Sequence, residues 1–124
     1  MAKLISSGGE MFEFGSIVLT RFPFTDLSGG KLRPALVVSR ENSRRTDLVL
    51  AFITSKQQSA NMPDAAAILP SKANGPKVSS WVRFDKLATL ENQVVAGKIG
   101  DAEPEFLKAA APTFFGVFGF SQAT

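Results

Sequence analysis

Residues 34–54 read PALVVSRENSRRTDLVLAFIT, and this stretch decides the fold. It contains two apolar runs rich in β-branched residues, 34–39 and 48–54, with a polar segment between them. The pattern predicts two strands joined by a loop, and Pro34 is compatible with the first strand because it stands at its start. The run 48–54 is apolar up to its last residue, so we expect both faces of that strand to be covered.

Further short strands are predicted on both sides of this stretch. Residues 17–19, together with Phe22, are apolar and rich in β-branched side chains and are followed by Pro23, and residues 81–85 alternate apolar and polar side chains. Residues 66–69 and 89–99 each predict another strand. Roughly five to seven strands separated by frequent turns predict a mainly β protein built as a small, strongly bent sheet or barrel.

The sequence changes character at Asp101, where a C-terminal helix is predicted. Asp101 suits the N-cap, while Glu103, Pro104 and Glu105 suit the first turn, because the helix dipole favours negative charge there. Pro112 removes a backbone donor inside this helix, so we expect a kink or a break near it. Apolar residues at four-residue spacing predict a helix face that closes the core: Phe106, Ala110, Phe114 and Phe118.

The chain has 124 residues and a mass of 13.3 kDa, which is the size of one domain. We expect residues 12–124 to form that domain and residues 1–11 to be a flexible N-terminal tail. The start of the chain is too short and too polar for a signal peptide, and no apolar run approaches the roughly 20 residues of a membrane-spanning helix. A cytoplasmic protein without membrane contact is therefore predicted.

Cysteine, histidine and tyrosine are absent from the sequence. Disulfide scaffolds, thiolate and phenol nucleophiles, Ser-His-Asp triads and metal sites with Cys or His ligands are therefore excluded. Any catalysis must use Arg, Lys, Asp, Glu, Ser or Thr, and we expect neither a metal nor another cofactor.

Positive charge is concentrated in one part of the chain. The whole sequence carries 14 basic and 11 acidic residues, a net charge of +3. Residues 21–56 alone contain seven basic and three acidic residues, so this stretch is +4. Such a stretch favours a polyanionic partner, typically a single-stranded nucleic acid, although a solvated basic surface fits the charge equally well.

Four segments together resemble the MazF/PemK family, the toxins of type II toxin–antitoxin modules. They are FGSIVLTRFPFTD at 14–26, KLRPALVVS at 31–39, AFITS at 51–55 and SWVRFDKLATL at 80–90. The resemblance implies an SH3-like small barrel, a homodimer and sequence-specific cleavage of single-stranded RNA. It also implies an acidic cognate antitoxin, with which such toxins bind DNA.

The same resemblance implies catalytic residues. Arg33 matches the family's active-site arginine and Thr54 its active-site threonine. Arg83 and Asp85 match an Arg-x-Asp pair that one branch of the family uses as acid and base. The chain departs from the family in two features: Ser16 replaces the acidic residue that usually follows the glycine, and the loop histidine of that branch is missing.

These residue types suit RNA cleavage without a metal, in which the 2′-hydroxyl attacks the adjacent phosphorus. The planar guanidinium of Arg33 can stabilise the charged phosphorane, and the Thr54 hydroxyl can bond a phosphate oxygen. Arg83 and Asp85 are two residues apart and share a strand face, so the carboxylate is a candidate general base. Each residue also has an ordinary alternative: a surface salt bridge, a strand-end hydroxyl bonded to local backbone, and a simple ion pair.

Seven further residues are predicted to contact RNA through charge, hydroxyl groups or base stacking: Lys31, Arg40, Arg44, Arg45, Ser55, Lys56 and Trp81. The basic segment 40–45 is equally compatible with a solvated loop, and Gly29-Gly30 is predicted to be a flexible lid over Arg33. Two rival interpretations stay open. One is a non-catalytic poison of the CcdB type that binds DNA gyrase on the same fold, and the other is an inactive remnant.

Overall fold

The computed structural model describes residues 12–21, 31–41 and 44–120, and this part of the chain forms six strands followed by one α-helix. The elements are β1 (Ser16–Thr20), β2 (Arg33–Val37), β3 (Asp47–Thr54), β4 (Ala65–Ile68), β5 (Ser80–Glu91), β6 (Gly97–Asp101) and α1 (Pro104–Gly116). The predicted mainly β fold with a C-terminal helix is confirmed. The predicted tail at 1–11 and the predicted lid at Gly29-Gly30 lie outside the described residues.

All six strands belong to one antiparallel sheet in the order β4-β5-β3-β2-β1-β6. The hairpin expected from residues 34–54 lies in the middle of the sheet as β2 and β3, with Ala35 opposite Phe52 and Val37 opposite Leu50. Strands β4 and β6 are the two edges of this half-barrel. The stretch that decides the fold therefore also forms its centre.

Strand β5 is irregular where it crosses β3. Ala51 pairs with Leu87, but the next residue, Phe52, pairs with Arg83, so residues 84–86 are extra on the β5 side. Such a bulge bends the strand and increases its twist. As a result the first half of β5 lies between β3 and β4, whereas its second half continues along β3 alone.

The two faces of the sheet each carry an apolar core. One core packs against α1 and includes Ile17, Leu36, Ala51, Ile53, Ile68, Val82, Phe84 and Ala110. The other lies on the opposite face and includes Phe12, Val18, Ala35, Val37, Leu48, Leu50 and Val95. Along β3 the buried residues of both cores alternate, which explains the continuously apolar run. The expected cover on both faces is confirmed except at Val49 and Phe52, which are half-buried.

The N-cap predicted for the C-terminal helix is wrong, and the break considered at Pro112 does not occur. Asp101 is the last residue of β6, and the N-cap position belongs to Glu103, whose side chain makes no capping bond. Pro112 neither breaks nor ends α1. Pro112 and Lys108 are both exposed, so water can hydrate the Lys108 carbonyl that loses its helical partner.

The helix closes its core only in part. Ala110 is buried, and Phe106 and Phe114 are half-buried against the sheet, with Phe114 meeting Phe84 edge to face at a centroid distance of 5.6 Å. In contrast, Phe118 is 36% exposed. The predicted fourth member of the buried helix stripe therefore lies at the margin of the core.

The strand predicted over 89–99 exists as β6, but it starts only at Gly97. Residues up to Glu91 continue β5 because Asp47 to Leu50 on β3 pair with them, and a 3₁₀ turn at Asn92–Val94 separates them from β6. Between β3 and β4 the chain forms a 3₁₀ helix at Gln57–Asn61 with Ser59 buried.

Candidate functional site

A groove of about 610 Å³ opens on the face of the sheet that is turned away from α1. It collects three of the four predicted catalytic residues, Arg33, Thr54 and Arg83, together with Ser55 and Lys56 of the predicted RNA contacts. The rest of its lining comes from β2, β3, the 3₁₀ segment after β3, the connection between β4 and β5, and β5 itself: Pro34, Phe52, Ile53, Gln58, Ser59, Met62, Pro76, Lys77, Val78, Ser80 and Lys86.

The central hairpin brings Arg33 and Thr54 to the same groove. The β2–β3 register, with Ala35 opposite Phe52, places Arg33 opposite Thr54 when it is extended by two residues. Arg33 is half-buried, and its buried Nε has no hydrogen-bond partner among the residues that the structure describes. A buried N–H group without a hydrogen-bond partner raises the free energy of the folded protein. An acceptor from outside the described residues, such as a phosphate oxygen, would therefore be bound favourably by Arg33.

Thr54 is 8% exposed and its hydroxyl is already oriented. Its Oγ1 accepts a hydrogen bond from the Lys56 backbone N–H at 3.1 Å. This is the local backbone bond that the sequence analysis offered as the ordinary alternative. The bond uses a lone pair of Oγ1 and leaves the hydroxyl proton available for a second acceptor.

Arg83 and Asp85 form a bidentate ion pair. Arg83 Nε donates to Asp85 Oδ1 at 2.8 Å, and Nη2 donates to Oδ2 at 2.7 Å. This hydrogen bonding lowers the pKa of the Asp85 carboxyl below its ordinary value and raises the pKa of Arg83. Arg83 lines the groove, whereas Asp85 does not.

The groove is strongly electropositive. Five cationic side chains line it: Arg33, Lys56, Lys77, Arg83 and Lys86. Within the described ranges no carboxylate is part of the lining. Lys77 and Lys86 were missed by sequence reasoning, although Lys86 lies one residue beyond the Arg-x-Asp pair. An arrangement of this kind binds polyanions, and its arginines suit phosphate oxygens.

The groove wall formed by the connection between β4 and β5 is held in place by hydrogen bonds to the start of α1. Pro76, Lys77 and Val78 belong to the connection between β4 and β5, residues 69–79, which we call the β4–β5 loop. Asn74 of this loop is 1% exposed, and Nδ2 donates to the Leu69 carbonyl at 2.8 Å and to Glu103 Oε1 at 3.3 Å.

The same anchor includes Ser71, whose hydroxyl donates to Glu103 Oε2 at 2.5 Å. These bonds, above all the one from Ser71, lower the pKa of Glu103. Gly100 of β6 lies directly under the loop, and a side chain there would collide with the Ala73 carbonyl. The groove wall is thus fixed to the start of α1 and to β6.

Other predicted contact residues lie away from the groove. Arg40, Arg44 and Arg45 are at the opposite end of the β2–β3 hairpin from Arg33, roughly 20 Å along the strands. Arg45 pairs there with Asp47 at 3.0 Å. Lys31 is exposed just before β2 and is not part of the lining. Trp81 lines a neighbouring hollow instead.

The described segments contain no group of three or more acidic, histidine or cysteine residues that could hold a metal ion. Nor does any helix within them have the length and apolar character needed to cross a membrane.

The sequence pattern of a protein family matches residues 13–114, which is most of the chain. That family is described as the PemK-like, MazF-like toxin of the type II toxin-antitoxin system. The chain belongs to this family. The suspected MazF/PemK membership is thereby confirmed, although no curated protein sequence matches the chain significantly.

Solved structures show the same fold as this MazF-like toxin. A mycobacterial endoribonuclease in complex with its cognate antitoxin is 20% identical, with a TM-score of 0.70 over 90% of this chain and 98% of the other. The Mycobacterium tuberculosis toxin MazF-mt6 is 22% identical, with a TM-score of 0.68 over 86% and 99% of the two chains. MazF from Deinococcus radiodurans is 23% identical, with a TM-score of 0.68 over 89% and 98%.

Proposed function

We propose that this MazF-like toxin is a sequence-specific endoribonuclease that cleaves single-stranded RNA in the bacterial cytoplasm without a metal ion. The observation that carries the proposal is the groove that Arg33, with its unpartnered Nε, and Thr54 line together with four further cationic side chains. The similar mycobacterial structure described as an endoribonuclease supports the choice of RNA as substrate. The comparisons give no support to the CcdB-type gyrase inhibitor.

The reaction uses a nucleophile that RNA itself supplies. The 2′-oxygen forms a bond to the adjacent phosphorus while the bond from phosphorus to the 5′-oxygen breaks. The 2′-hydroxyl loses its proton to a base, and the leaving 5′-oxygen gains one. The products are a 2′,3′-cyclic phosphate and a 5′-hydroxyl, and negative charge accumulates on the non-bridging oxygens in between.

The groove is suited to stabilising that charge. Arg33 supplies donors to the phosphorane oxygens, and Thr54 adds a neutral donor through its remaining hydroxyl proton. Arg83 stays charged because its pKa is raised, so it contributes electrostatic stabilisation and is a poor proton donor. Lys56 and Lys77 hold the phosphates on either side.

Asp85 acts through Arg83 in this proposal. Both of its oxygens bind the guanidinium, its pKa is lowered, and it does not line the groove. A carboxylate in that state is a weak base, and its bonds fix the direction of Arg83. We therefore assign Asp85 as a positioning residue rather than the general base of the sequence analysis.

The cationic groove also suggests how an antitoxin would bind. An acidic antitoxin segment is expected to occupy the cationic groove and thereby to compete with RNA. A mycobacterial relative and MazF from Deinococcus radiodurans have both been solved with an antitoxin, which supports such a partner. We also propose a two-fold homodimer, which light scattering at tens of micromolar protein would show.

The test is cleavage of a long single-stranded RNA by the purified protein in EDTA, with the cut ends mapped. We expect cyclic or 3′-phosphate ends, 5′-hydroxyl ends and recurrent cut sequences. A 2′-deoxy or 2′-O-methyl sugar at the cut should block the reaction. A strict requirement for magnesium, or cleavage of an all-DNA strand, would contradict the mechanism.

A further inference from the structure

The anchor of the β4–β5 loop contains the dipeptide Asn74-Gly75. Four asparagines occur in the sequence, and this is the only one that is followed by glycine. Because glycine has no Cβ, its backbone nitrogen can closely approach the side-chain carbonyl of the residue before it. An Asn-Gly pair is therefore the arrangement in which an asparagine amide is most easily lost through attack by the following backbone nitrogen.

The folded protein holds this amide away from such an attack. Asn74 is 1% exposed. Its Nδ2 donates to the Leu69 carbonyl at 2.8 Å and to Glu103 Oε1 at 3.3 Å, and its Oδ1 accepts a hydrogen bond from the Ser71 backbone N–H at 3.0 Å. These three bonds fix the direction of the side chain, and burial keeps water away from its carbonyl carbon.

The backbone of the dipeptide is held against β6. Gly75 has a φ of +98°, and a side chain there would lie 2.9 Å from Ile99 Cγ1. On the other side of Asn74, the Ala73 carbonyl accepts a hydrogen bond from the Asp101 N–H at 2.7 Å. Packing on β6 therefore requires glycine at position 75, and the Gly75 nitrogen can reach the Asn74 carbonyl only when the loop leaves β6 and α1.

We propose that Asn74 is a self-modifying residue, whose amide becomes a carboxylate when the β4–β5 loop opens, after which the anchor of the groove wall cannot form again. The Gly75 nitrogen forms a bond to Asn74 Cγ while the bond from Cγ to Nδ2 breaks. The proton of the Gly75 N–H passes through water to the leaving nitrogen, so ammonia is released and a succinimide ring remains. Water then opens the ring at either carbonyl and gives aspartate or isoaspartate.

The product cannot make the bonds of the anchor. An aspartate side chain has two acceptor oxygens and no donor at neutral pH. The two partners of Asn74 Nδ2 are the Leu69 carbonyl and the Glu103 carboxylate, which are acceptors as well, so two of the three bonds are lost. Hydrogen bonding, above all from Ser71, lowers the pKa of Glu103, so two negative charges then face each other. The conversion thus separates the groove wall from α1.

Mass spectrometry follows this conversion directly. Trypsin cuts after Lys72 and Lys77, so Asn74 is the only asparagine in peptide 73–77. In mildly alkaline buffer we expect conversion in the folded full-length protein to be at least about tenfold slower than in urea, because the loop must first open. Asn61, which is exposed and followed by methionine, is the internal control and should react slowly in both states.

Two carboxylates at the start of α1 provide a matched pair of variants. Glu103→Ala removes a partner of both Asn74 and Ser71, so conversion in the folded protein should approach the rate in urea. Glu105→Ala removes an exposed carboxylate from the first turn and should leave the rate unchanged. Ser71→Ala is the second variant for the same link, because its hydroxyl donates to Glu103 and accepts from the Asn74 N–H at 3.1 Å.

The consequence of conversion is measured on the converted protein itself. It carries one more negative charge than the original, so ion exchange separates the two. Urea titration should show an unfolding equilibrium constant that is raised at least about fivefold, because buried acceptors have lost their donor. The KM for RNA should rise as well, and Asn74→Asp should reproduce both changes.

Equal conversion rates in the folded protein and in urea would overturn the proposal. So would Glu103→Ala and Ser71→Ala proteins that convert no faster than Glu105→Ala, or a converted protein as stable as the original. The proposal goes beyond the proposed function, and masses and unfolding curves decide it even if the protein does not cleave RNA. Only the KM measurement depends on that activity.

Discussion

The face of the sheet beneath α1 and the face that carries Arg33 are built from alternate residues of the same strands. On β3, Ala51 and Ile53 point into the core under the helix, while Phe52 and Thr54 point to the opposite face. The first face is apolar and packs against α1. The second face carries the groove lined by five cationic side chains and the neighbouring hollow that Trp81 lines. Side-chain alternation with a period of two thus gives each face an apolar core and directs Arg33, Thr54 and Arg83 to the face away from α1.

The two faces are not independent, since the β4–β5 loop connects them. Its Asn74 and Ser71 bond to Glu103 at the start of α1, and its Pro76, Lys77 and Val78 form a groove wall. We therefore expect a change at Glu103 to affect the groove through this loop, and changes elsewhere in the helix core to affect folding alone.

The largest expected effect is on the groove face. Arg33→Ala should leave the fold intact and lower the cleavage rate about 10²–10³-fold, because a preorganised donor to the transition state is lost. Arg40→Ala, at the far end of the same hairpin, is the matched control. Cleavage rates and thermal melting of both variants test this prediction. Equal cleavage rates in the two variants would contradict a special role of the groove arginine.

Asn74→Ala tests the loop that joins the faces. It leaves the Leu69 carbonyl, the Ser71 N–H and Glu103 short of a partner, so we expect a loss of about 1–3 kcal/mol in the free energy of unfolding. Urea titration measures the loss. Because the groove wall loosens, KM for RNA should rise more than kcat falls. Exposed Asn61→Ala should do neither, and an unchanged KM in Asn74→Ala would show that the wall is positioned without this anchor.

Asp85→Asn should cost less, at most about fivefold in rate, because partly exposed ion pairs are worth roughly 0.2–1 kcal/mol. Hydrogen bonding to Arg83 lowers the pKa of Asp85, so the pair is intact at neutral pH and is lost only in acid, below the range in which an ordinary aspartate titrates. The rate profile from about pH 5 to 8 should therefore show no limb that Asp85→Asn abolishes. A loss of a hundredfold or more, or such a limb, would restore the general-base role.

The smallest expected effect is on the salt dependence of RNA binding, and it should differ between the cationic groove and the basic segment 40–45. Lys56→Ala and Lys77→Ala should each reduce the salt dependence of binding to a short RNA by about 0.7 in log–log slope, the value for one phosphate contact on a single strand. Arg44→Ala with Arg45→Ala should leave the slope unchanged, since this segment is roughly 20 Å from Arg33 and Arg45 is engaged with Asp47. A flatter slope in the arginine variants would extend the RNA path along the hairpin.

The sequence alone determined the elements that depend on local composition. The central hairpin follows from two β-branched apolar runs, and the position of α1 follows from Pro104 and the apolar spacing after it. Arg33, Thr54 and Arg83 were predicted as site residues because the sequence around them resembles the MazF/PemK family. Each of them is a charged or hydroxyl residue in a predicted strand. These features are carried by neighbours in the chain, so they can be read without knowing the fold.

Only the tertiary structure decided what depends on distant partners. The length of β5 and its three-residue bulge are set by pairing with β3, and Pro112 is accommodated because its side of α1 faces water. Lys77 and the Trp81 hollow join the site because the β4–β5 loop is bonded to Glu103, far along the sequence. Such contacts arise when separate strands and loops pack together, and residue spacing along one chain does not encode them.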